Sequence, residues 1–374
     1  HSFPTRRSSD LGLSFDLPVS AHGEASFTAT VEPGSAWRAA LAPPVSGVLV
    51  VRDTLPVWDG WVVSDEQSGP RTFTFRAREW GSFYGAVPAV AHTYSDVNDH
   101  AIIRDVFARA RAVDGQDVGL VIPVTSGAVS SDLTINAWDH NLTVEQVLVD
   151  LGNTARGPEW YVQASGTLDH PTRTLVLGDR LGSTDPTVLE YVEQTADPDR
   201  RGAVVVTLID GLFPAATTVL PLDRRGGNVL AVSRVRDGSR TATATIAVGA
   251  GSEGATITAT AQSPRLIAAG FPRLTRTSTY SDVVRLATLQ RHADGDLAAS
   301  CGVLTGYQAV TVNADPDWTE VPRGSTVRLI LDTDVYGGAR PVDITSRVQR
   351  MTVHVPDDGG AAQVTWDIPD VLEV

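Results

Sequence analysis

The chain contains no lysine. All 30 of its cationic residues are arginine, set against 44 aspartates and glutamates, and the formal charge is −14. Arginine has GC-rich codons and lysine AT-rich ones, so this absence points to a GC-rich genome. The arginines therefore need no guanidinium-specific chemistry to explain them. The acidic balance argues against a surface that grips phosphate, which needs clustered positive charge. There is one cysteine, Cys301. That excludes a disulfide framework and a cysteine-ligated zinc site. Cys301 lies near a helix end before Gly302 and reads as a small buried hydrophobe. Nowhere do about eighteen apolar residues follow one another, so no membrane insertion is expected.

Residues 1–11, HSFPTRRSSDL, read as one frame of a common sequencing-library adapter rather than native protein. Such scars are set aside before fold reasoning. The reading frame is then expected to start at the end of a DNA fragment from bulk environmental sequencing, with the native start missing. Arg6 and Arg7 are not taken as a nucleic-acid arm or an export signal. The 374 residues suffice for two or three domains, each with its own core.

Residues 12–95 read as β. Val48-Leu49-Val50-Val51 is a strand, Pro56 interrupts, and Val57 to Val63 form another. After the Gly69-Pro70 turn, Phe73 and Phe75 alternate with Thr72, Thr74 and Arg76, the period of a half-buried strand. The texture changes near Ser95, and residues 96–195 read as an α/β module. Ile102, Ile103, Val106, Phe107 and Ala110 share one helical face, with Asp96 or Asn98 as cap. Val118 to Val124 look strand-like. Thr143 and Gln146 form a capping box, Leu142 and Val147 a hydrophobic staple, and Gly152 the stop of a second helix. Glu159 to Val162 and Thr174 to Leu177 look like paired strands. Ala196 to Gly202 is a candidate boundary, and residues 196–374 read as a second β domain. There Asp237-Gly238 predicts a hairpin between Leu230–Arg236 and Thr241–Val248. A third helix is expected over 281–301, and Asp357 to Gly360 make the last hairpin.

Chemistry-bearing constellations are few. Gly251-Ser252-Glu253-Gly254 misses the spacing of a serine nucleophile elbow and reads as a hairpin tip. His92, His100, His140, His170, His292 and His354 are scattered, with no second histidine at ligand spacing. Cys301 lacks a nucleophile's context. Asp315 and Asp317 near Trp318, or Asp332 and Asp334, could in principle serve glycoside cleavage, but aspartate at turns has local hydrogen-bonding reasons. Asp294-Gly295-Asp296 and Asp357-Asp358 lack a full calcium loop. Asn141-Leu142-Thr143 is a formal glycosylation sequon, but Thr143 already caps a helix. Trp58, Trp61 and Trp80 could stack on sugars, and packing explains them more simply. No catalytic, cofactor-binding or metal-ligating residue is assigned.

The order of elements carries a resemblance. A strand ending in Trp58-Asp59-Gly60-Trp61-Val62 is followed by Phe73 to Ala77. That strand passes into Glu79-Trp80-Gly81-Ser82-Phe83-Tyr84, and then comes Tyr94 to Ile103 with its helix. The second helix, behind Asn141-Leu142-Thr143, precedes Trp160-Tyr161-Val162. Later, Val321-Pro322-Arg323-Gly324-Ser325-Thr326-Val327 stands where Pro-Gly-Asp is usual, so this motif departs from the pattern. Strands near Ile344 to Val355 and Ala362 to Ile368 close the chain. This layout, over most of residues 12–374, resembles the tail hub or minor tail proteins of bacteriophages infecting GC-rich hosts.

The resemblance implies a mainly β (α+β) chain, with two β-barrel-like tube domains and the α/β module between them. It implies a non-enzymatic virion protein without cofactors, forming a homotrimer whose pseudo-sixfold ring joins the tail tube to the tip. Its partners would be distal tail, tail tube and tape measure proteins. DNA would only pass through, and an acidic wall would keep it from sticking. A cell-wall hydrolase and a carbohydrate-binding adhesin are the alternatives.

Overall fold

In a computed structural model, the structure describes residues 12–30, 43–44, 46–136, 142–168, 170–191, 228–237, 241–251, 256–268, 270–281, 283–301, 304–312, 316–331, 342–356 and 361–371. The adapter-like segment 1–11 lies outside them. So do His140, Asn141, Ser252, Gly302, Asp315, Asp332, Asp334, Asp357, Asp358 and the candidate boundary at 196–202.

Five strands open the chain: β1 (Leu13–Pro18), β2 (Glu24–Thr30), β3 (Gly47–Arg52), β4 (Leu55–Gln67) and β5 (Thr72–Glu79). Pro56 does not interrupt. It lies inside β4 opposite Val51, where a bulge shifts the register against the edge strand β3, a site where the missing N–H is tolerated. A 3-10 turn, Trp80–Ala86, leads to β6 (His92–Asn98) and α1 (Asp99–Arg111). Asn98 is the cap, its side chain accepting from His100 N, and the expected apolar face is buried. After β7 (Leu120–Val121) and β8 (Ser130–Ile135), α2 spans Val144–Gly152. Thr143 Oγ1 accepts from Gln146 N at 3.1 Å, as the capping box required. Only Leu120–Val121 of the strand-like 118–124 segment is a strand, running parallel to β10.

Next come β9 (Glu159–Gly166), β10 (Pro171–Gly178), β11 (Thr187–Tyr191) and β12 (Val229–Asp237). A lobe follows, made of β13 (Ala244–Val248), β14 (Thr258–Gln262), α3 (Pro264–Ala268), β15 (Thr275–Thr279) and α4 (Leu286–Ser300). The chain then gives β16 (Leu304–Val312), β17 (Thr326–Leu331), β18 (Val342–Arg347), β19 (Arg350–Val355) and β20 (Gln363–Val371).

Two local expectations fail here. The third helix begins at Leu286, not near 281. Val283 turns inward, its carbonyl accepting from Ala250 N, and Arg285 is still extended. The Asp237-Gly238 hairpin does not form either. β12 pairs with β16, whereas β13 pairs with β14 and β15 in another sheet. A turn dipeptide favours a local reversal, but long-range pairing with β16 overrides it.

The chain is mainly β, α+β, as the resemblance implied. Among the described residues no sheet closes into a barrel. Instead, strands from both ends of the chain share one nine-stranded sheet, ordered β12-β16-β20-β19-β1-β2-β5-β4-β3. The seam is the antiparallel pair β1–β19, with Phe15 opposite Val353. Phe15, Phe27, Phe75, Val353 and Trp366 point to one face. They form a core with Leu189, Val327 and Leu329 of the three-stranded sheet β11-β17-β18. Trp58 and Trp366 are fully buried in it. Truncating a side chain of that size to alanine costs about 3–5 kcal/mol. A second core sits in the central module around Phe107, Leu148 and Trp160. A third and smaller one holds the lobe together around Ala247, Leu289 and Ala293.

Candidate functional site

Of the constellations weighed for chemistry, Ser252, Asp315, Asp332, Asp334, Asp357 and Asp358 lie outside the described residues, and the described members are engaged in separate local contacts. Asp317 belongs to Arg52, whose Nη1 lies 2.5 Å from Oδ1. Its carboxyl is held below the usual range by hydrogen bonds from Arg52 and Thr319, so it is not poised as an acid. Asp296 accepts the Tyr280 hydroxyl at 2.9 Å and Asp294 accepts from Gln290 Nε2 at 3.0 Å. Among the described residues no cluster of His, Cys, Asp and Glu could hold a metal ion. His292 is buried and stacked on Tyr280 at 4.0 Å, and burial pushes its imidazole down to about 4. His100 is likewise buried and lowered by burial, with Nδ1 2.9 Å from Thr125 Oγ1. His92 packs edge-on against Tyr94, and His354 lies on the outward face of the large sheet. Cys301 is partly buried, its Sγ facing Ala298 O at 3.7 Å.

The three tryptophans are packing residues. Trp58 is fully buried. Trp61 donates to Ser82 Oγ at 3.1 Å and meets Phe83 edge-on. Trp80 donates to Asp59 Oδ1 at 2.9 Å and is covered by the Arg173 guanidinium, 4.5 Å from its ring.

What the fold does bring together is a set of arginine–carboxylate joints between its parts. Glu79, at the end of β5, is 1% exposed. Its Oε2 accepts Gly23 N at 2.8 Å and its Oε1 accepts Arg323 Nη1 at 2.9 Å. Arg323 also covers the Tyr161 ring at 5.0 Å. Arg323 stands in the Arg323-Gly324-Ser325 stretch, where the resemblance led one to expect Gly-Asp, and it acts here as a structural fastener. Gly324, with φ +79°, offers its carbonyl to Arg347 Nε at 2.6 Å. The Arg347 guanidinium forks onto Glu159 and also donates to Leu181 O. Glu159 in turn accepts Leu181 N at 2.7 Å. Asp59, 4% exposed, holds Arg173 Nε at 2.5 Å. Burial raises its carboxyl against the opposing pull of that guanidinium.

The lobe is fastened in the same way. Arg291 of α4 donates to Asp99 Oδ2 at 3.0 Å, to Thr154 Oγ1 at 2.8 Å and to Ser131 Oγ at 2.8 Å. Gly295, one turn on, lets α4 approach the 153–155 turn. A Cβ there would stand 2.2 Å from Asn153 O. His22 adds a joint between the β1–β2 turn and the central module. Its Nε2 lies 3.1 Å from Glu145 Oε1 and its ring 4.7 Å from Trp160. Breaking a buried pair by removing one partner typically costs about 3–5 kcal/mol, because the other charge is left unpaired. Sequence reasoning named Asp59, Glu79, Glu159 and Arg323 within motifs but paired none of these residues. The partners lie far apart in the chain, and nothing local marks them. Composition explains why arginine is abundant, yet the joints use its planar fork, which lysine could not reproduce.

The other feature is the outward face of the nine-stranded sheet. Opposite the core, one row across the strands runs His354, Ser14, Ser26, Arg76 and Ser64; the next runs Thr365, Thr352, Asp16, Glu24 and Arg78. Arg78 pairs with Glu24 at 3.0 Å and Arg350 reaches Asp16 at 3.5 Å. The face is concave here, with an open hollow of about 420 Å³ lined by Ser14, Asp16, Ser26, Ser64, Arg76 and Thr352 among others. Burial raises the Asp16 carboxyl above its ordinary value. Hydroxyls and charges dominate the described lining, among them the Arg78–Glu24 and Arg350–Asp16 pairs.

No family model and no curated protein sequence matches the chain. Solved structures do. A tail protein from Neisseria meningitidis superposes with a TM-score of 0.57 at 13% identity, covering 96% of this chain and 92% of that one. The 43 kDa tail protein of a Shewanella oneidensis prophage superposes with a TM-score of 0.54 at 9% identity, covering 95% and 93%. The chain is therefore similar in fold, over almost its whole length, to phage-type tail proteins.

Proposed function

We propose that this chain is a structural hub of a phage-type tail: copies of it assemble into a ring at the tail tip, between tail tube and tip. The observation that carries this reading is end-to-end similarity of fold to two tail proteins, over more than nine-tenths of each chain. Two features of the molecule support it. Its three cores are joined by arginine–carboxylate pairs whose carboxylates are buried, which suits a part that transmits load without deforming. Its large sheet presents a concave face of hydroxyls and paired charges. Facing a lumen, such a wall offers little clustered positive charge to hold a passing nucleic acid or protein chain.

In this reading the ring is a homotrimer. Tail tube and distal tail proteins flank it, and tape measure protein and DNA pass through it. Domains 12–95 and 196–374 then act as two tube-like halves around the module 96–195. The protein sits in the virion after assembly in the host cytoplasm, and it works without a cofactor. Among the described residues the cell-wall hydrolase and adhesin alternatives find no support, since Asp317 pairs with Arg52 and Trp58, Trp61 and Trp80 are engaged in packing; Asp315, Asp332 and Asp334 lie outside them.

The test is assembly. Purified protein is expected to sediment as a multimer at high concentration and to show rings by electron microscopy. A strictly monomeric species without rings would overturn the reading.

A further inference from the structure

Two strand edges of this chain are open and oppositely charged. The first is β15, the outer strand of the sheet β14-β13-β15. It joins β13 on one side only, and among the described residues no strand lies beyond it. α4 packs mainly on β13 and β14, and β15 stays largely exposed. Four of its five residues are exposed, on both faces, and the fifth is half-buried. Arg276 within it and Arg273 just before it are exposed and have no carboxylate partner among the described residues. The second edge is the far half of β4. β3 covers β4 only up to Trp61, and Val62 N is taken by Ser46 O. Beyond it, Val63 is a bulge and residues 64–67 pair with β5 on one side, while the other side of the 63–67 stretch meets no strand among the described residues. This stretch matches β15 in length. It carries Asp65 and Glu66, both exposed and without a cationic partner among the described residues.

Open edges are templates for further strand pairing, and charges on them normally deter it. Here the charges deter only like edges. Two copies of β15 would bring arginines together, and two copies of the β4 edge would bring carboxylates together. The mixed pairing is the one in which backbone and side chains both fit, since opposite charges on neighbouring strands attract. The two strands lie in different sheets and do not pair within one chain.

We propose that β15 of one copy docks by strand addition onto residues 63–67 of β4 in the next copy, so that the lobe of each chain extends the large sheet of its neighbour. The contact is head-to-tail. Repeated, it closes a ring or runs on as a filament, depending on the rotation per step. The proposal rests on the ring reading above and names the surface that builds the ring.

Charge reversal in the full chain tests it. Arg273→Glu with Arg276→Glu, or Asp65→Arg with Glu66→Arg, is expected to raise the dissociation constant for assembly by about tenfold or more in low salt. All four changes in one chain are expected to restore assembly, with unchanged melting temperatures as the folding control. In a Cys301→Ala background, chains bearing Ser64→Cys are expected to cross-link with chains bearing Thr277→Cys, and neither alone with itself. Self-cross-linking of the Thr277→Cys chain would mean β15 pairs with β15, and would overturn the proposal. An assembly untouched by either reversal would overturn it and leave the ring reading standing. So would one broken by the β15 reversal alone, which would assign β15 to another tail protein. A wild-type chain monomeric at every concentration overturns both.

Discussion

Arg323 Nη1 lies 2.9 Å from Glu79 Oε1, across 244 residues of chain, and both side chains are buried. Glu79 closes β5, the last of the five N-terminal strands, and Arg323 precedes the first residue of β17 by three positions. This one contact ties the two ends of the sequence together and presents Arg323 to Tyr161 of the central module. If it is a fastener, Arg323→Met alone should destabilise by about 3–5 kcal/mol, because Glu79 would stay buried and unpaired. Adding Glu79→Gln should recover part of that loss. Urea denaturation of the two singles and the double gives the coupling, and additive losses would show that the pair is not one unit.

A backbone contact beside it gives a second prediction. Gly182, with φ +84°, passes so close to Gly324 that a Cβ would stand 2.3 Å from its carbonyl carbon. Gly182→Ala should cost about 2 kcal/mol or more, from left-handed backbone strain together with the clash. Thermal melting measures it, and a neutral result would mean that the two loops separate freely.

Acid should weaken the lobe. Burial lowers His292 from its ordinary 6.5 to about 4. Between those values the unfolded chain binds a proton that the folded chain does not. Stability from this group is therefore complete above about pH 6.5 and declines as pH falls toward 4, by about 3 kcal/mol in all. His292→Phe, which keeps a ring against Tyr280, should flatten that stretch of the stability–pH curve. Hydrogen exchange of α4 amides across pH 4–7 reads it locally.

Asp317 separates the structural reading from the hydrolytic one. Its partner Arg52 is about as exposed as itself, so Asp317→Asn should cost about 1 kcal/mol at most. Neither the wild type nor this variant should clear a cell-wall suspension. Clearing lost on Asp317→Asn would restore the enzyme reading.

The α2 cap offers the simplest check of local energetics. Thr143→Ala removes the acceptor for Gln146 N and should cost about 1 kcal/mol, read from the denaturation midpoint.

Local signals in the sequence translated directly where one element could satisfy itself. The 3.6 period of Ile102, Ile103, Val106, Phe107 and Ala110 buries one stripe of α1, and Thr143 caps α2 through its own neighbours. The alternation of Phe73 and Phe75 buries one face of β5. Each of these outcomes depends on residues within a few positions of one another. The late start of α4 and the missing hairpin after Asp237 show where that reach ends. Val283 is drawn to Ala250, and β12 to β16, by partners that no local window contains.

Composition and periodicity by themselves determined that this is an acidic, cysteine-poor chain of strands, with three of its four described α-helices and the cap of α2, because those properties reside in single residues and nearest neighbours. Only the tertiary structure decided that the two ends of the chain share one sheet across β1 and β19, and that Arg323 belongs to Glu79 and Arg291 to Asp99. Sheet edges and buried ion pairs are completed by groups hundreds of residues away. Which edge meets which, and which guanidinium is desolvated beside which carboxylate, depends on how whole layers pack.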